Sequence, residues 1–324
     1  MTAVSRSTTA EGMFCHEALF YRSETEFLRG TVPFIEAAVR HADPILVVVG
    51  AGKIDLLRGH LGADAAAVQF ADMSEVGTNP ARIIPAWADF VAEYGDRPLR
   101  GVGEPIWPER GAEELVECQG HESLLNVVFQ AVPRFTLLCP YDDSALPPEL
   151  LAEARRSHRF VRHPTERAAS ADYRGTDAAV DLFTAPLPPP PAHAVAFDFA
   201  WPDVASLRSW VAAEAAGAGL GAERTPDAVA AVHELAANSI RYGGGHGVLR
   251  LWSGEAGIVC EVTDSGHIAD PLVGRIRPRP DRRGGRGLWM VNQLCELVQI
   301  RSTPKGTTVR IHLRCPPVSP ATPS

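Results

Sequence analysis

The chain has no long hydrophobic run. A membrane-crossing helix needs about 20 consecutive apolar residues, and the longest apolar stretch, Pro44 to Gly52 (PILVVVGAG), has the length of a strand. Paired cysteines are missing as well. Cys15, Cys118, Cys139, Cys260, Cys295 and Cys315 are scattered without CxxC spacing, which matches neither a zinc-finger pattern nor a disulfide frame. There is no basic excess: 31 Lys and Arg stand against 39 Asp and Glu, a formal net charge of -8, and this disfavours general duplex binding. The N-terminal MTAVSRSTTAEGMF lacks the apolar centre of a secretory signal and reads as a short frayed tail. No internal repeat is visible. These absences lead us to expect a soluble, cytoplasmic protein with reduced thiols, bound directly to neither membrane nor nucleic acid.

What is present points to two domains. A chain of 324 residues is long for a single core, and 45% hydrophobic with 22% charged residues is a globular composition. The sharpest break is Ala185 to His193 (APLPPPPAH), where consecutive prolines favour an extended, semi-rigid spacer. We place a first domain over 12–164, a linker over 165–193 and a second domain over 194–315. The tail 316–324 (PPVSPATPS) is too poor in apolar groups to fold.

The first domain alternates strand and helix signals. Apolar runs such as Ile45–Val49 (ILVVV) and Phe135–Cys139 (FTLLC) fit strands buried on both faces, and the segments between them carry helical spacing. This predicts an α/β fold with a mostly parallel, P-loop-like sheet. Gly50-Ala51-Gly52-Lys53 stands at a strand-helix turn and invites a P-loop reading. The spacing fails, because the first glycine would fall on Val47 and Ile54 stands where Ser or Thr should bind magnesium.

The second domain mixes helical segments (Val204–Ala216, Thr225–Tyr242, Gly287–Leu297) with alternating strands, which predicts an α+β two-layer sandwich. Four elements in it carry chemistry. Glu234 and Asn238 stand four residues apart and share a helix face; the carboxylate can take a proton and the carboxamide oxygen can ligate a hard cation. Asp264-Ser265-Gly266 ends a strand, where an aspartate can accept from a base amine and a glycine lets backbone approach the ligand. Gly284 to Val291 runs a glycine-rich loop into a helix N-terminus, a place that favours phosphate, and six arginines between Arg275 and Arg286 make a basic lid. Lys305-Gly306-Thr307 turns into the last strand. Taken singly, these are a solvated helix face, two ordinary turns and a basic loop.

In this order and spacing they resemble the nucleotide-binding boxes of GHKL ATPases, and most closely the anti-sigma-factor serine/threonine kinases. The resemblance covers about Ala194 to Cys315. It implies ATP and Mg2+ as cofactors, with Glu234 as general base, Asn238 on Mg2+ and Asp264 on the adenine amine, helped by Gly266 and Thr307. Gly285, Arg286, Gly287 and Leu288 would line the phosphate side. The implied partner is an anti-anti-sigma (STAS-type) protein, a sigma factor, or both; a homodimer stays open. Two positions depart from the family pattern: Ile268 where a glycine is frequent, and Tyr242, preceded by Arg241, where some kinases carry histidine. A non-catalytic ATP-dependent binding module and a sensor histidine kinase are the alternatives. The latter lacks a histidine on a dimerisation hairpin ahead of the ATPase.

The first domain, with His16-Glu17-Ala18-Leu19-Phe20-Tyr21, Gly103-Glu104-Pro105-Ile106-Trp107, Glu117 to Glu122 and Cys139-Pro140-Tyr141-Asp142, resembles MEDS sensory domains. This implies an unknown small-molecule ligand, such as a one-carbon or hydrocarbon-type metabolite. His16, Trp107, His121, Cys139 and Tyr141 are the candidates for sensing it, being expected near strand ends or loops. Packing roles are the plainer reading of each histidine and cysteine, and a His/Cys metal site is a further option.

Overall fold

The computed structural model describes residues 14–254, 256–278 and 285–315. The unfolded tail expected at 316–324 and lid positions 279–284 lie outside the described residues. Within them the chain forms two compact units, residues 14–76 with 86–178 and residues 77–85 with 179–315.

As far as residue 169 the elements run β1 (Cys15–Tyr21), α1 (Glu24–His41), β2 (Ile45–Val49), α2 (Ala51–Leu61), β3 (Gln69–Asp72), α3 (Met73–Val76), α4 (Ile83–Tyr94), β4 (Leu99–Gly103), α5 (Ala112–Phe129), β5 (Phe135–Asp142), α6 (Pro148–Ser157), β6 (Phe160–His163) and β7 (Glu166–Ala169). The strands form one sheet in the order β3-β2-β4-β5-β1-β6-β7. Every neighbouring pair is parallel except β6 with β7. The all-apolar ILVVV of β2 lies between β3 and β4 and is almost wholly buried, as such runs are in parallel sheets covered on both faces. Helix α1 starts where the Ser23 hydroxyl accepts from the Glu26 N–H, and it lays Phe27, Phe34 and Ile35 on the sheet beside Val47 and Leu57. The expected α/β class with a mostly parallel sheet is what the unit shows.

The stretch expected as a linker carries structure. Glu166–Ala169 pairs with β6, and α7 (Asp177–Thr184) follows. Phe183 packs against the second unit's core, and the Pro188 carbonyl accepts from Arg310 Nη2 at 2.6 Å. Part of the proline-rich segment is thereby tied to a sheet face.

The second unit continues with β8 (Val195–Ala200), α8 (Val204–Gly217), α9 (Thr225–Tyr242), β9 (His246–Ser253), β10 (Gly257–Asp264), α10 (Arg286–Leu294), β11 (Leu297–Thr303) and β12 (Gly306–Arg314). Its five strands form an antiparallel sheet in the order β11-β12-β10-β9-β8. Leu207 and Val211 of α8, Val232 and Leu235 of α9, and Val291 of α10 meet Leu249, Cys260 and Ile311 of the sheet in one core. Helices on one face of an antiparallel sheet make the expected α+β two-layer sandwich. The other sheet face holds a buried ion pair, Arg310 Nη2 to Glu261 Oε2 at 2.6 Å. Helix α10 is shorter than the sequence suggests: Cys295 is already extended, and Leu297 begins β11.

Candidate functional site

Helix α9 and the end of β10 build one wall of a large cavity in the second unit. Register pairs Asp264 on β10 with Thr307 on β12. The Asp264 carboxylate is held at both oxygens: the Gly266 N–H donates to Oδ1 at 2.8 Å, and the Ser239 hydroxyl donates to Oδ2 at 2.6 Å. Thr307 Oγ1 donates to the Gly266 carbonyl at 2.9 Å and lies 2.8 Å from Ser302 Oγ. A side chain at Gly266 has no room, since a β-carbon there would lie 2.7 Å from the Tyr242 carbonyl oxygen and 2.9 Å from Gly243 Cα. Backbone closeness is thus required at this glycine.

Across the cavity, Gly285 caps α10 in the left-handed conformation (φ 77°), and the helix begins at Arg286. Glycine suits this cap because it pays no side-chain penalty there. The first N–H groups of a helix lack intrahelical partners and favour an anion. A β-carbon at Gly287 would lie 2.6 Å from Glu234 Oε2 and 3.5 Å from Asn238 Nδ2, so both α9 side chains face the start of α10. All nine residues proposed from the sequence for this site, Glu234, Asn238, Asp264, Gly266, Gly285, Arg286, Gly287, Leu288 and Thr307, line one cavity of about 880 Å³. Ser239 and Ser302 are additions: both are buried hydroxyls that brace Asp264 or Thr307.

The five sensory candidates of the first unit do not share one site. Trp107 lines a cavity of about 710 Å³ with Tyr21, Lys53 and Glu104. There Lys53 Nζ reaches Glu104 Oε1 at 2.5 Å and the Tyr21 hydroxyl at 2.6 Å, and that hydroxyl donates to Glu104 Oε1 at 2.8 Å. Burial raises the Glu104 carboxyl above the ordinary range, opposed by the Lys53 charge. Burial and the Glu104 charge likewise push the Tyr21 phenol far up. The lysine of the Gly50–Lys53 turn is therefore engaged by a carboxylate, which agrees with the failed P-loop spacing.

His16 and Cys139 meet elsewhere, with His16 Nε2 3.3 Å from Cys139 Sγ. Glu122 and His158, neither of them among the five sensing candidates, join them. Tyr141 stands edge-on to His158, with ring centroids 5.6 Å apart. Contrary to expectation, His121 lies in mid-helix and Cys139 in mid-strand, whereas His16 is the second residue of β1. Burial lowers the His16 imidazole to about 4, and nearby His158 adds to this. Burial also pushes the Cys139 thiol well up, with the Glu122 charge acting the same way.

Residues 15–159 match the family described as MEDS, the MEthanogen/methylotroph, DcmR Sensory domain. Residues 200–313 match the histidine kinase-like ATPase domain. The chain couples a MEDS sensory domain to a histidine kinase-like ATPase domain. It is an ATP-binding signalling protein. No curated protein matches the chain. No described helix is long and apolar enough to cross a membrane.

The cavity of the ATPase domain fits a nucleotide on its own chemistry. It offers a carboxylate whose oxygens are already oriented by a hydroxyl and an N–H, beside a glycine that admits no side chain. It also offers a helix start, with Glu234 and Asn238 facing it. The volume is that of pockets which enclose ligands of drug size, about 300–1,000 Å³.

Proposed function

We propose that the ATPase domain is a serine/threonine protein kinase of the anti-sigma-factor type, with Mg2+ as its metal and its output set by ligand in the sensory domain. The observation that carries this reading is the placement of Glu234 and Asn238 opposite the first turn of α10, in the cavity that Asp264 also lines. When bound, ATP with Mg2+ supplies the phosphoryl group and neutralises its charge. Asp264 accepts from the adenine amine, held in orientation by Ser239 and the Gly266 N–H. Thr307 fixes the Gly266 backbone beside it. Arg286 and the first N–H groups of α10 bind the phosphate chain. Asn238 contributes a carboxamide oxygen to the metal. Glu234 takes the proton of the incoming hydroxyl, which belongs to an anti-anti-sigma (STAS-type) partner. Most of the acceleration comes from positioning and charge stabilisation, since phosphoryl transfer asks little covalent chemistry of the protein.

Sensing is assigned to the Tyr21, Lys53, Glu104 and Trp107 cavity. Its cation and anion neutralise each other, so the cavity suits a small uncharged molecule that can accept from Lys53.

A second reading rests on Ile268 and Tyr242, which both line the nucleotide cavity where the kinase pattern differs. In it the domain binds ATP without transfer, and the nucleotide shapes a surface that holds a sigma factor. Incubation with labelled ATP and a STAS-type partner separates the two. Acid-stable label on the partner, lost in Glu234→Ala with ATP affinity kept, supports the kinase. Bound nucleotide without transfer supports the binding module, and acid-labile label on the chain itself would point to a histidine kinase.

A further inference from the structure

We propose that His16, Glu122, Cys139 and His158 of the sensory domain form a closed, four-coordinate site for a divalent transition cation of the zinc class. The four side chains come from β1, α5, β5 and the residue after α6, and each is 2% exposed or less. One ligand atom from each lies within 4.8 Å of every other. His16 Nε2 is 3.1 Å from Glu122 Oε2 and 3.3 Å from Cys139 Sγ, and His158 Nε2 is 3.1 Å from the same Glu122 oxygen. Ligands on a tetrahedral zinc, with bonds of about 2.0–2.3 Å, are separated by roughly 3.2–3.8 Å. The observed edges are close to that range, and the wider ones need only a small inward rotation.

Hydrogen bonding around the cluster decides which atoms face it. The Ala154 carbonyl can only accept, so His158 Nδ1, 2.7 Å away, carries the proton. Asn126 Nδ2 donates to the Ser157 carbonyl at 2.7 Å, which leaves its Oδ1 to accept from His16 Nδ1 at 3.3 Å. Both imidazoles therefore turn Nε2 toward the Glu122 carboxylate. Neither Glu122 oxygen nor His158 Nε2 makes a hydrogen bond of proper direction. Two imidazole nitrogens, a thiol sulfur and a carboxylate converge in this buried space, a donor set that suits a cation. On binding, the Cys139 proton leaves to solvent; thiolate, carboxylate and a doubly charged cation then sum to zero. Asn126 and the Ala154 carbonyl act as positioning groups that fix the histidine tautomers, as outer-shell partners do at zinc sites.

The test uses the full chain purified without chelator, its metal content measured by mass spectrometry. The expected result is about one zinc per chain. Exchange with Co2+ should give a tetrahedral visible spectrum with a sulfur-to-cobalt band in the near ultraviolet. Cys139→Ser should lose that band and keep the visible one. Asn126→Ala should weaken metal binding about 10–100-fold while ATP binding by the other domain stays unchanged, which shows that the effect is confined to the sensory domain. Absence of zinc together with no uptake of Zn2+ at micromolar concentration overturns the proposal. So does an octahedral cobalt spectrum without the sulfur band in the unaltered protein, a result that does not depend on any variant folding.

Discussion

Gly287 at the start of α10 faces Glu234 on α9 so closely that a β-carbon at 287 would lie 2.6 Å from the Glu234 Oε2. The atom in the way is the tip of a flexible side chain, so Gly287→Ala displaces the carboxylate at little cost to the fold. We expect the melting temperature of Gly287→Ala to stay within a few degrees of wild type. Phosphoryl transfer should fall by about 10²-fold or more, the scale of a lost or misplaced general base. Transfer at the wild-type rate would remove Glu234 from the chemistry.

Gly266 contrasts with Gly287, because its close neighbours are the Tyr242 carbonyl and Gly243 Cα and neither can swing aside. Gly266→Ala must shift backbone and carry Asp264 with it, since the 266 N–H holds that carboxylate. The expected loss of stability is about 1–3 kcal/mol, as for overpacking in a tight site, together with at least tenfold weaker ATP binding. Denaturant unfolding and calorimetric titration check the two effects separately.

In the sensory domain, Lys53→Met strips the buried Glu104 of its cation. Burial already raises the Glu104 carboxyl, and loss of Lys53 raises it further. A carboxyl raised above its unfolded value leaves stability intact below the unfolded pKa and removes it as pH rises through the folded one. The variant should therefore be close to wild type near pH 4 and destabilised by about 2–4 kcal/mol at pH 8, in line with breaking a buried ion pair. Lys53→Met with Glu104→Gln should recover most of the loss. Equal destabilisation at both pH values would contradict the pairing.

The fold was legible where one pattern dominates. ILVVV announces a strand buried on both faces, and the alternation in Gly257–Asp264 announces a strand with one face on a core. Glu166–Ala169 gave no such signal because all four of its residues are exposed, and only backbone pairing with β6 makes it a strand. In the nucleotide cavity, Glu234 and Asn238 could be read from their spacing on one helix face. Ser239 could not: as the next residue after Asn238 it turns about 100° around the helix, and its role appears only once β10 brings Asp264 to it. The His16 cluster was half visible. Its four members are spread over more than 140 positions of sequence, and the parallel pairing of β1 with β5 and β6 is what gathers three of them.

The central claim is that one adenine nucleotide sits between Asp264 and the start of α10. Calorimetric titration of the full chain with ATP and Mg2+ tests it most directly, with Asp264→Asn as the paired variant. The account predicts one site per chain and an affinity for ATP at least tenfold weaker in the variant, the scale of a lost charge-assisted hydrogen bond of about 1.5–3 kcal/mol. Heat of binding that is absent from wild type, or unchanged by Asp264→Asn, would contradict it.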